Sequence, residues 1–170
     1  MNVQEATTRR LPDLKGRYLP KNCRETINTI LKETYGYEQF RNLEIYDDLS
    51  KGKEKLCISQ GQLIENVILE AEKAWKSETQ VDNILLTAPT GSGKSLLFQL
   101  PAIYLGKEYN LLTIVVSPLK ALIVDQVESL QELGYARVAY ASSDLSPEQK
   151  MEVYRQVREG EIDLFYLSPE

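Results

Sequence analysis

The stretch from Leu85 to Ala102 reads LLTAPTGSGKSLLFQLPA, and it is the most informative part of the sequence about the fold. An apolar run leads into a turn with two glycines, and a helical pattern of apolar residues follows. Gly91 and Gly93 allow the backbone to curl so that several N–H groups converge on one anion, where a Cβ would obstruct. Lys94 comes next, and the helix start adds partial positive charge. The pattern indicates a phosphate-binding turn rather than a glycine-rich turn with an incidental lysine.

The side chains of this turn have separate chemical roles in that interpretation. Lys94 can reach the β- and γ-phosphates of a nucleotide and is the predicted catalytic residue, while the Ser95 hydroxyl can ligate Mg²⁺. The predicted nucleotide-binding residues of the turn are Thr90, Gly91, Ser92, Gly93, Lys94 and Ser95. Ser95 is also the predicted metal ligand.

Strand and helix patterns alternate around and after the turn. Apolar runs typical of strands that are buried on both faces occur near 84–88, 112–117, 137–141 and 163–167. Helical patterns separate them, and the last helix opens with a capping box at Ser146, Pro147 and Gln149. This order predicts an α/β fold with a parallel sheet. Ser142, Ser143 and Asp144 are interpreted as an ordinary loop.

The chain divides into two regions of different texture. Residues 1–57 are polar and contain one predicted helix, over 24–33, so they form a helical N-terminal segment. A second amphipathic helix is predicted from a cap at Ser59 to Trp75, and it opens the region 58–170 that holds the phosphate turn. The last strand ends at Leu167, close to the end of the chain. We therefore expect a truncated sheet that belongs to a longer protein.

Composition excludes several classes of function. The 170 residues include no histidine, and the two cysteines lack metal-ligand spacing, so zinc sites and histidine chemistry are not expected. The formal net charge of -5 and the pI near 5.0 argue against broad coating of nucleic acid. No apolar span is long enough for a membrane. We expect a cytoplasmic protein, or a nuclear one in a eukaryote.

Three ordered motifs resemble those of one family. APTGSGKS at 88–95 resembles motif I of superfamily 2 helicases, which often has alanine where Ala88 replaces the first glycine of the general pattern. VVSPLKALIVDQVESLQELG at 115–134 resembles motif Ia of the RecQ branch. The segment 140–170, which ends in Ser168-Pro169-Glu170, resembles that branch's next motif. The resemblance implies the N-terminal part of a RecA-like motor domain, with ATP and Mg²⁺ as cofactors.

The second and third motifs predict contacts with nucleic acid. Ser117 and Pro118 lie at the carboxyl end of a predicted strand just before a helix, where N–H groups and a hydroxyl can hold a phosphodiester. Lys120 adds positive charge. The resemblance assigns Ser168 and Glu170 to a matching contact, although an ordinary turn at the strand end is the alternative. The expected partner is nucleic acid, with DNA favoured over RNA, and not a membrane.

The family also places an adenine-reading glutamine before motif I, and two positions compete for this role. YGYEQFRNLE at 35–44 resembles the family's aromatic-Gly-x-x-x-Phe-Arg signature, but Glu44 occupies the glutamine position. ISQGQLIENVI at 58–68 keeps Gly-Gln before a helix. We therefore assign Gln62 to adenine recognition; its alternative is an ordinary glutamine at a helix start.

A motor also needs carboxylates that hold Mg²⁺ and activate water, in the form Asp-Glu-x-His or a relative. The 170 residues contain no such motif, and Asp82 and Asp163 are wrongly placed. We expect the parent protein to be an ATP-dependent helicase, and this chain, which lacks the second motor domain, to bind nucleotide without hydrolysing it. The alternatives are a nucleotide-gated nucleic-acid-binding module without catalysis and a small P-loop kinase, although a kinase lid with arginines is missing.

Overall fold

The computed structural model describes residues 22–46, 55–76, 81, 83–88 and 90–169. Helices and strands alternate over most of this length, and the α/β class is confirmed. In chain order the elements are α1 (Cys23–Tyr35), β1 (Asn42–Tyr46), β2 (Lys55–Ser59), α2 (Gln60–Trp75), α3 (Leu96–Tyr109), β3 (Thr113–Val116), α4 (Lys120–Glu132), β4 (Val138–Ala141), α5 (Pro147–Arg158) and β5 (Leu164–Leu167).

The main sheet contains β3, β4 and β5, which is central, in the order β3-β5-β4. Both pairs of neighbouring strands are parallel, with Leu164 in register with Thr113 on one side and Val138 on the other. The predicted strands near 112–117, 137–141 and 163–167 are therefore confirmed. Because the strands are parallel, the residues that follow them lie at the same edge of the sheet.

The two faces of β5 belong to different hydrophobic clusters. Leu164 and Tyr166 belong to the larger cluster, together with α1, α2, α3 and α4. Phe165 belongs to a smaller cluster with β4, and Val153 and Val157 of α5 pack against it. Helices thus cover both faces of the strand, which is why its apolar residues do not alternate with polar ones.

Local signals in the sequence fix the helix ends. Ser59 caps α2 and Ser146 caps α5, each through a capping box completed by a glutamine three residues later. Both caps are confirmed predictions. Helix α1 covers the predicted range 24–33 and ends at Gly36, whose φ of 69° is left-handed.

The predicted strand near 84–88 is wrong. Residues 83–88 are not in a strand, and Leu85 is 87% exposed. On the opposite side of the sheet from β4, Ile114 and Val116 of β3 are also exposed, and β5 is the one described strand that pairs with β3. An apolar run becomes a buried strand only where a neighbouring strand offers its N–H and C=O groups, and no described strand does so here.

The N-terminal region contains a hairpin that the sequence patterns did not predict. Strands β1 and β2 pair antiparallel, with Asn42 in register with Ser59. The predicted domain boundary between 57 and 58 falls inside β2. Helix α1, which precedes the hairpin, shares the larger hydrophobic cluster with α2 and α3. None of the helices in the described parts of the chain is long and apolar enough to cross a bilayer.

Candidate nucleotide site and nucleic-acid face

The turn that precedes α3 has the backbone that its glycines predict. Gly91 and Gly93 have φ values of 81° and 76°, in the left-handed region that L side chains rarely adopt. A Cβ on Gly91 would meet nothing within 4 Å, so glycine is required there by conformation and not by space. Ser95 occupies the cap position of α3 without a capping hydrogen bond from its side chain. Its hydroxyl is therefore not committed to the helix end.

The Lys94 side chain reaches back across this turn. Its Nζ donates a hydrogen bond of 2.7 Å to the backbone oxygen of Ala88, six residues earlier. The side chain is exposed to solvent and spans the turn from the start of the helix to the segment before it. An ammonium on a carbonyl oxygen is in an exchangeable position, because a more strongly accepting anionic oxygen can replace that carbonyl.

Helix α3 is held rigidly behind the turn by a buried amide. The side chain of Gln99 is buried, and its Nε2 donates to Gln126 Oε1 on α4 at 2.9 Å and to the Tyr166 hydroxyl on β5 at 3.1 Å. The Tyr35 hydroxyl on α1 donates to Gln99 Oε1 at 3.3 Å. Burial raises the pKa of Tyr35 and of Tyr166, so both hydroxyls stay protonated. Three elements are thereby fixed to the helix that carries the turn.

Gln62, which was predicted to read adenine, takes part in the cap of α2. Its Oε1 accepts a hydrogen bond of 3.0 Å from the Ser59 N–H, and its side chain is exposed. Glu44, the competing residue, lies exposed on β1 opposite Cys57. The geometry accounts for Gln62 as part of a helix start, and adenine recognition by this residue stays a prediction.

The structure joins the two segments that compete in sequence. A Cβ on Gly61 would come within 2.8 Å of the Phe40 ring, so the ring packs directly on the start of α2. The Gln60 N–H donates to the Arg41 oxygen at 2.9 Å. The start of β1 and the end of β2 therefore lie side by side. Sequence reasoning separated these segments because nothing local in the chain reports that Arg41 and Gln60 are neighbours.

Sequence reasoning also missed a contact between α2 and the phosphate turn. Gln60 Nε2 donates to the Ser92 oxygen at 3.1 Å, across 32 positions of sequence. Its Oε1 accepts from the Arg41 N–H at 3.1 Å. Only 2% of Gln60 is exposed. A buried glutamine at a helix start has no distinguishing local pattern, so no sequence signal pointed to it.

The predicted nucleic-acid contacts lie at the carboxyl edge of the sheet. Ser117 follows β3 and Ser168 follows β5, and the Ser117 N–H donates to the Leu167 oxygen at 3.0 Å. Ser142, which was interpreted as loop, follows β4 and completes a row of three serines on adjacent strands. Within the part of the chain that is described, the buried Ser168 Oγ has no hydrogen-bond partner. The prediction for Glu170 lies outside the described residues.

Lys120 stands beside this row at the start of α4. Its Nζ donates to Ser143 Oγ at 2.5 Å and lies 3.6 Å from Asp144 Oδ1. Pro118 is exposed between Ser117 and the helix. The structure therefore places Lys120 of motif Ia against Ser143 and Asp144 in the loop after β4. The sequence had indicated no functional role for that loop.

Asp163 lies near the C-terminal end of α3, the helix that begins after the phosphate turn. Its carboxylate accepts hydrogen bonds from the Tyr135 hydroxyl at 2.6 Å and from the Arg137 guanidinium at 2.7 and 2.8 Å. A Cβ on Gly106, near the end of α3, would come within 2.3 Å of Asp163 Cγ. The phosphate turn precedes the start of the same helix, roughly 15 Å away at about 1.5 Å per residue. Asp163 therefore has a structural role, whereas its position in the sequence had excluded it only as the carboxylate that activates water.

Metal-binding side chains are sparse. Among residues 22–46, 55–76 and those described after 80, no group of three or more His, Cys, Asp or Glu side chains could hold a metal ion. A magnesium ion that binds mainly through phosphate oxygens and water needs few protein ligands. The Ser95 hydroxyl is compatible with that kind of binding.

Comparison with known proteins agrees with the fold and with the motifs described above. The DEAD/DEAH box helicase family matches residues 68–170, which is more than half of the chain. The chain belongs to this family of helicases, and its fold is the RecA-like α/β fold that the motifs predicted. The RecQ branch resemblance is confirmed by the relatives described next.

The chain is similar to ATP-dependent DNA helicase RecQ of Synechocystis, with 33% identity over 147 residues, which are 86% of this chain and 24% of the relative. It is 32% identical to ATP-dependent DNA helicase RecQ of Bacillus subtilis over 142 residues, 84% of this chain and 19% of the relative. ATP-dependent helicase SGS1 of Saccharomyces cerevisiae is 37% identical over 98 residues, 58% of this chain and 7% of the relative. The chain thus spans a quarter or less of the length of these relatives.

Proposed function

We propose that this chain is the ATP-binding part of an ATP-dependent DNA helicase. The observation that carries the proposal is the turn before α3, where Gly91 and Gly93 are left-handed and Lys94 reaches back across the turn to Ala88. The family membership supports the same conclusion, since relatives of this chain are named ATP-dependent DNA helicases.

Each residue of the turn has a role in nucleotide binding. The backbone N–H groups of residues 90–95 bind phosphate oxygens, and the Lys94 ammonium exchanges the Ala88 oxygen for the β- and γ-phosphates. Ser95 supplies a hydroxyl ligand to Mg²⁺, which when bound neutralises phosphate charge. Gln62 reads the adenine with its carboxamide.

The carboxyl edge of the sheet binds a nucleic-acid backbone. Ser117, Ser168 and the N–H groups near Pro118 offer hydrogen-bond donors, and Lys120 supplies charge. Glu170 belongs to the same predicted contact. DNA is favoured over RNA because the named relatives act on DNA. We place the protein in the cytoplasm, or in the nucleus of a eukaryote.

Hydrolysis is not expected from these 170 residues alone, because they include no Asp-Glu-x-His motif. The same observation favours a second candidate, a nucleotide-gated nucleic-acid-binding module without catalysis. Steady-state ATP turnover separates this chain's expected behaviour from that of a complete motor. Robust turnover that disappears in Lys94→Ala would show that a catalytic carboxylate exists elsewhere in the chain.

Calorimetry with ATP and Mg²⁺ tests the phosphate role. Lys94→Ala removes a charged hydrogen bond, and we expect it to weaken ATP binding by about 1.5–3 kcal/mol. Lys107→Ala is the matched control, because Lys107 is an exposed lysine near the other end of α3. Equal affinities of wild type and Lys94→Ala would refute the proposed site.

A further inference from the structure

The side chain of Gln60 connects two segments that are far apart in sequence. Its Oε1 accepts the Arg41 N–H at 3.1 Å, and its Nε2 donates to the Ser92 oxygen at 3.1 Å. Arg41 is where the β1–β2 hairpin begins, and Ser92 lies in the phosphate turn. Both ends of one carboxamide are thus used on backbone groups, and neither end faces a nucleobase.

The surroundings of Gln60 leave it little freedom to adopt another position. The residue is 2% exposed, and its own N–H donates to the Arg41 oxygen at 2.9 Å. Its Nε2 also packs against Gly93, where a Cβ would come within 2.6 Å of it. The carboxamide therefore occupies the space that Gly93 leaves open.

These contacts bear on the shape of the turn. Gly91 and Gly93 are left-handed, and glycine has wide conformational freedom, so the turn needs an external restraint to keep its N–H groups convergent. The bond from Gln60 fixes the carbonyl of Ser92, which lies between the two glycines. The bond from Arg41 fixes the orientation of the Gln60 carboxamide in turn.

We propose that Gln60 is a positioning residue that holds the phosphate turn in its anion-binding shape from the root of the β1–β2 hairpin. This inference rests on the proposed nucleotide site. Because Gln60 acts on the turn and not on the base, its loss weakens every ligand that carries the same phosphate chain by the same factor. Gln62, by contrast, is proposed to act on adenine.

The experiment compares ATP, GTP and inorganic tripolyphosphate, each with Mg²⁺, by calorimetry on the whole chain. Gln60→Met keeps the volume and removes both side-chain hydrogen bonds. We expect the affinity for all three ligands to fall by about tenfold, the effect of one ordinary hydrogen bond. Gln131→Met, an exposed glutamine on α4, is the matched control and leaves all three affinities unchanged. A loss confined to ATP, or unchanged tripolyphosphate affinity, overturns the proposal.

A spectroscopic measurement separates this proposal from the nucleotide site itself. In the ligand-free protein, Gln60→Met shifts the amide resonances of Gly91 and Gly93, whereas Gln131→Met does not. If the wild type binds none of the three ligands, the proposed function fails, and the amide shifts still decide whether Gln60 holds the turn.

If Gln60→Met does not fold, Gln60→Glu replaces it, because Glu keeps the acceptor for the Arg41 N–H and loses the donor to Ser92. Unmoved glycine resonances in that variant also overturn the proposal.

Discussion

A charged side chain lies at each end of α3, exposed at the start of the helix and buried near its end. At its start, Lys94 is exposed and its Nζ rests on a backbone oxygen beside two left-handed glycines. Near its end, Asp163 is buried and its carboxylate accepts from Tyr135 and Arg137 at 2.6 to 2.8 Å. Both ends contain charge, but only the second surrounds that charge with fixed protein donors.

The difference separates a binding site from a structural one. A buried carboxylate is tolerated only when hydrogen bonds and an opposite charge replace its water. The donors of Tyr135 and Arg137 are used on Asp163, so this end of the helix stabilises the fold and does not bind a ligand. The hydrogen bond to Asp163 raises the pKa of Arg137, which keeps the guanidinium charged. The Lys94 end keeps a cation at the surface, where a ligand can compete for it.

The largest expected effect comes from the Asp163 end. Asp163→Asn keeps the shape of the side chain but replaces one acceptor oxygen by a donor that faces other donors. We expect the free energy of unfolding to fall by about 3 kcal/mol, and the ATP affinity of the folded protein to stay unchanged because the turn lies at the other end of the helix. Urea denaturation and calorimetry measure the two quantities.

The matched control for this prediction is Asp125→Asn. Asp125 is exposed on α4, and substitutions of that kind usually change the unfolding free energy by less than about 0.5 kcal/mol. If Asp163→Asn behaves like this control, the buried carboxylate does not stabilise the fold, and the contrast between the two helix ends is lost.

The same contrast shows what the sequence could predict. The helix caps at Ser59 and Ser146 and the glycines of the phosphate turn lie within a few residues of the structure they produce, and all were predicted. The contacts of Asp163 with Tyr135 and Arg137 span 28 and 26 positions, and that of Gln60 with Ser92 spans 32. Such pairs leave no local pattern.

The wrong strand near 84–88 has a related cause. Its apolar run has the composition of a buried strand, but a strand also needs a neighbour that hydrogen-bonds to it, and composition does not report the neighbour. The runs near 113–116 and 164–167 have similar composition and do pair with each other. Composition therefore indicated which segments could be strands, and the pairing decided which of them are.

The second expected effect is a loss of stability at high pH, to which tyrosines near the end of α3 contribute. Burial, with a hydrogen bond to Glu72, raises the pKa of Tyr109 to about 12 from its ordinary value of 10.0. Burial, with the bond to Asp163, also raises the pKa of Tyr135. Between the ordinary and the raised pKa the unfolded chain loses protons that the folded chain keeps, so unfolding becomes more favourable. Burial likewise raises the pKa of the Cys23 thiol from 9.0 to about 11, so the free energy of unfolding should begin to fall above pH 9 and keep falling from pH 10 toward 12.

The variant Tyr109→Phe removes one of these protons, and urea denaturation across this range checks the result. We expect a shallower fall above pH 10 than in the wild type. Every other titrating group is common to both proteins, so the comparison cancels its contribution. Identical slopes in the two proteins would contradict the assignment of the pH dependence to Tyr109.

The smallest expected effect concerns Gln62, at the nucleotide end. A carbonyl oxygen has two lone pairs, so Gln62 Oε1 can accept the Ser59 N–H of the cap and the adenine N6 donor together, while Nε2 donates to adenine N7. Gln62→Glu keeps the acceptor for the cap and loses that donor. We therefore expect ATP affinity to fall by about three- to tenfold with GTP affinity much less affected, and the unfolding free energy to change by less than about 0.5 kcal/mol. Competition titrations with both nucleotides decide the matter, with Glu44→Gln as the control. Equal losses for ATP and GTP would show that Gln62 is only part of the helix cap.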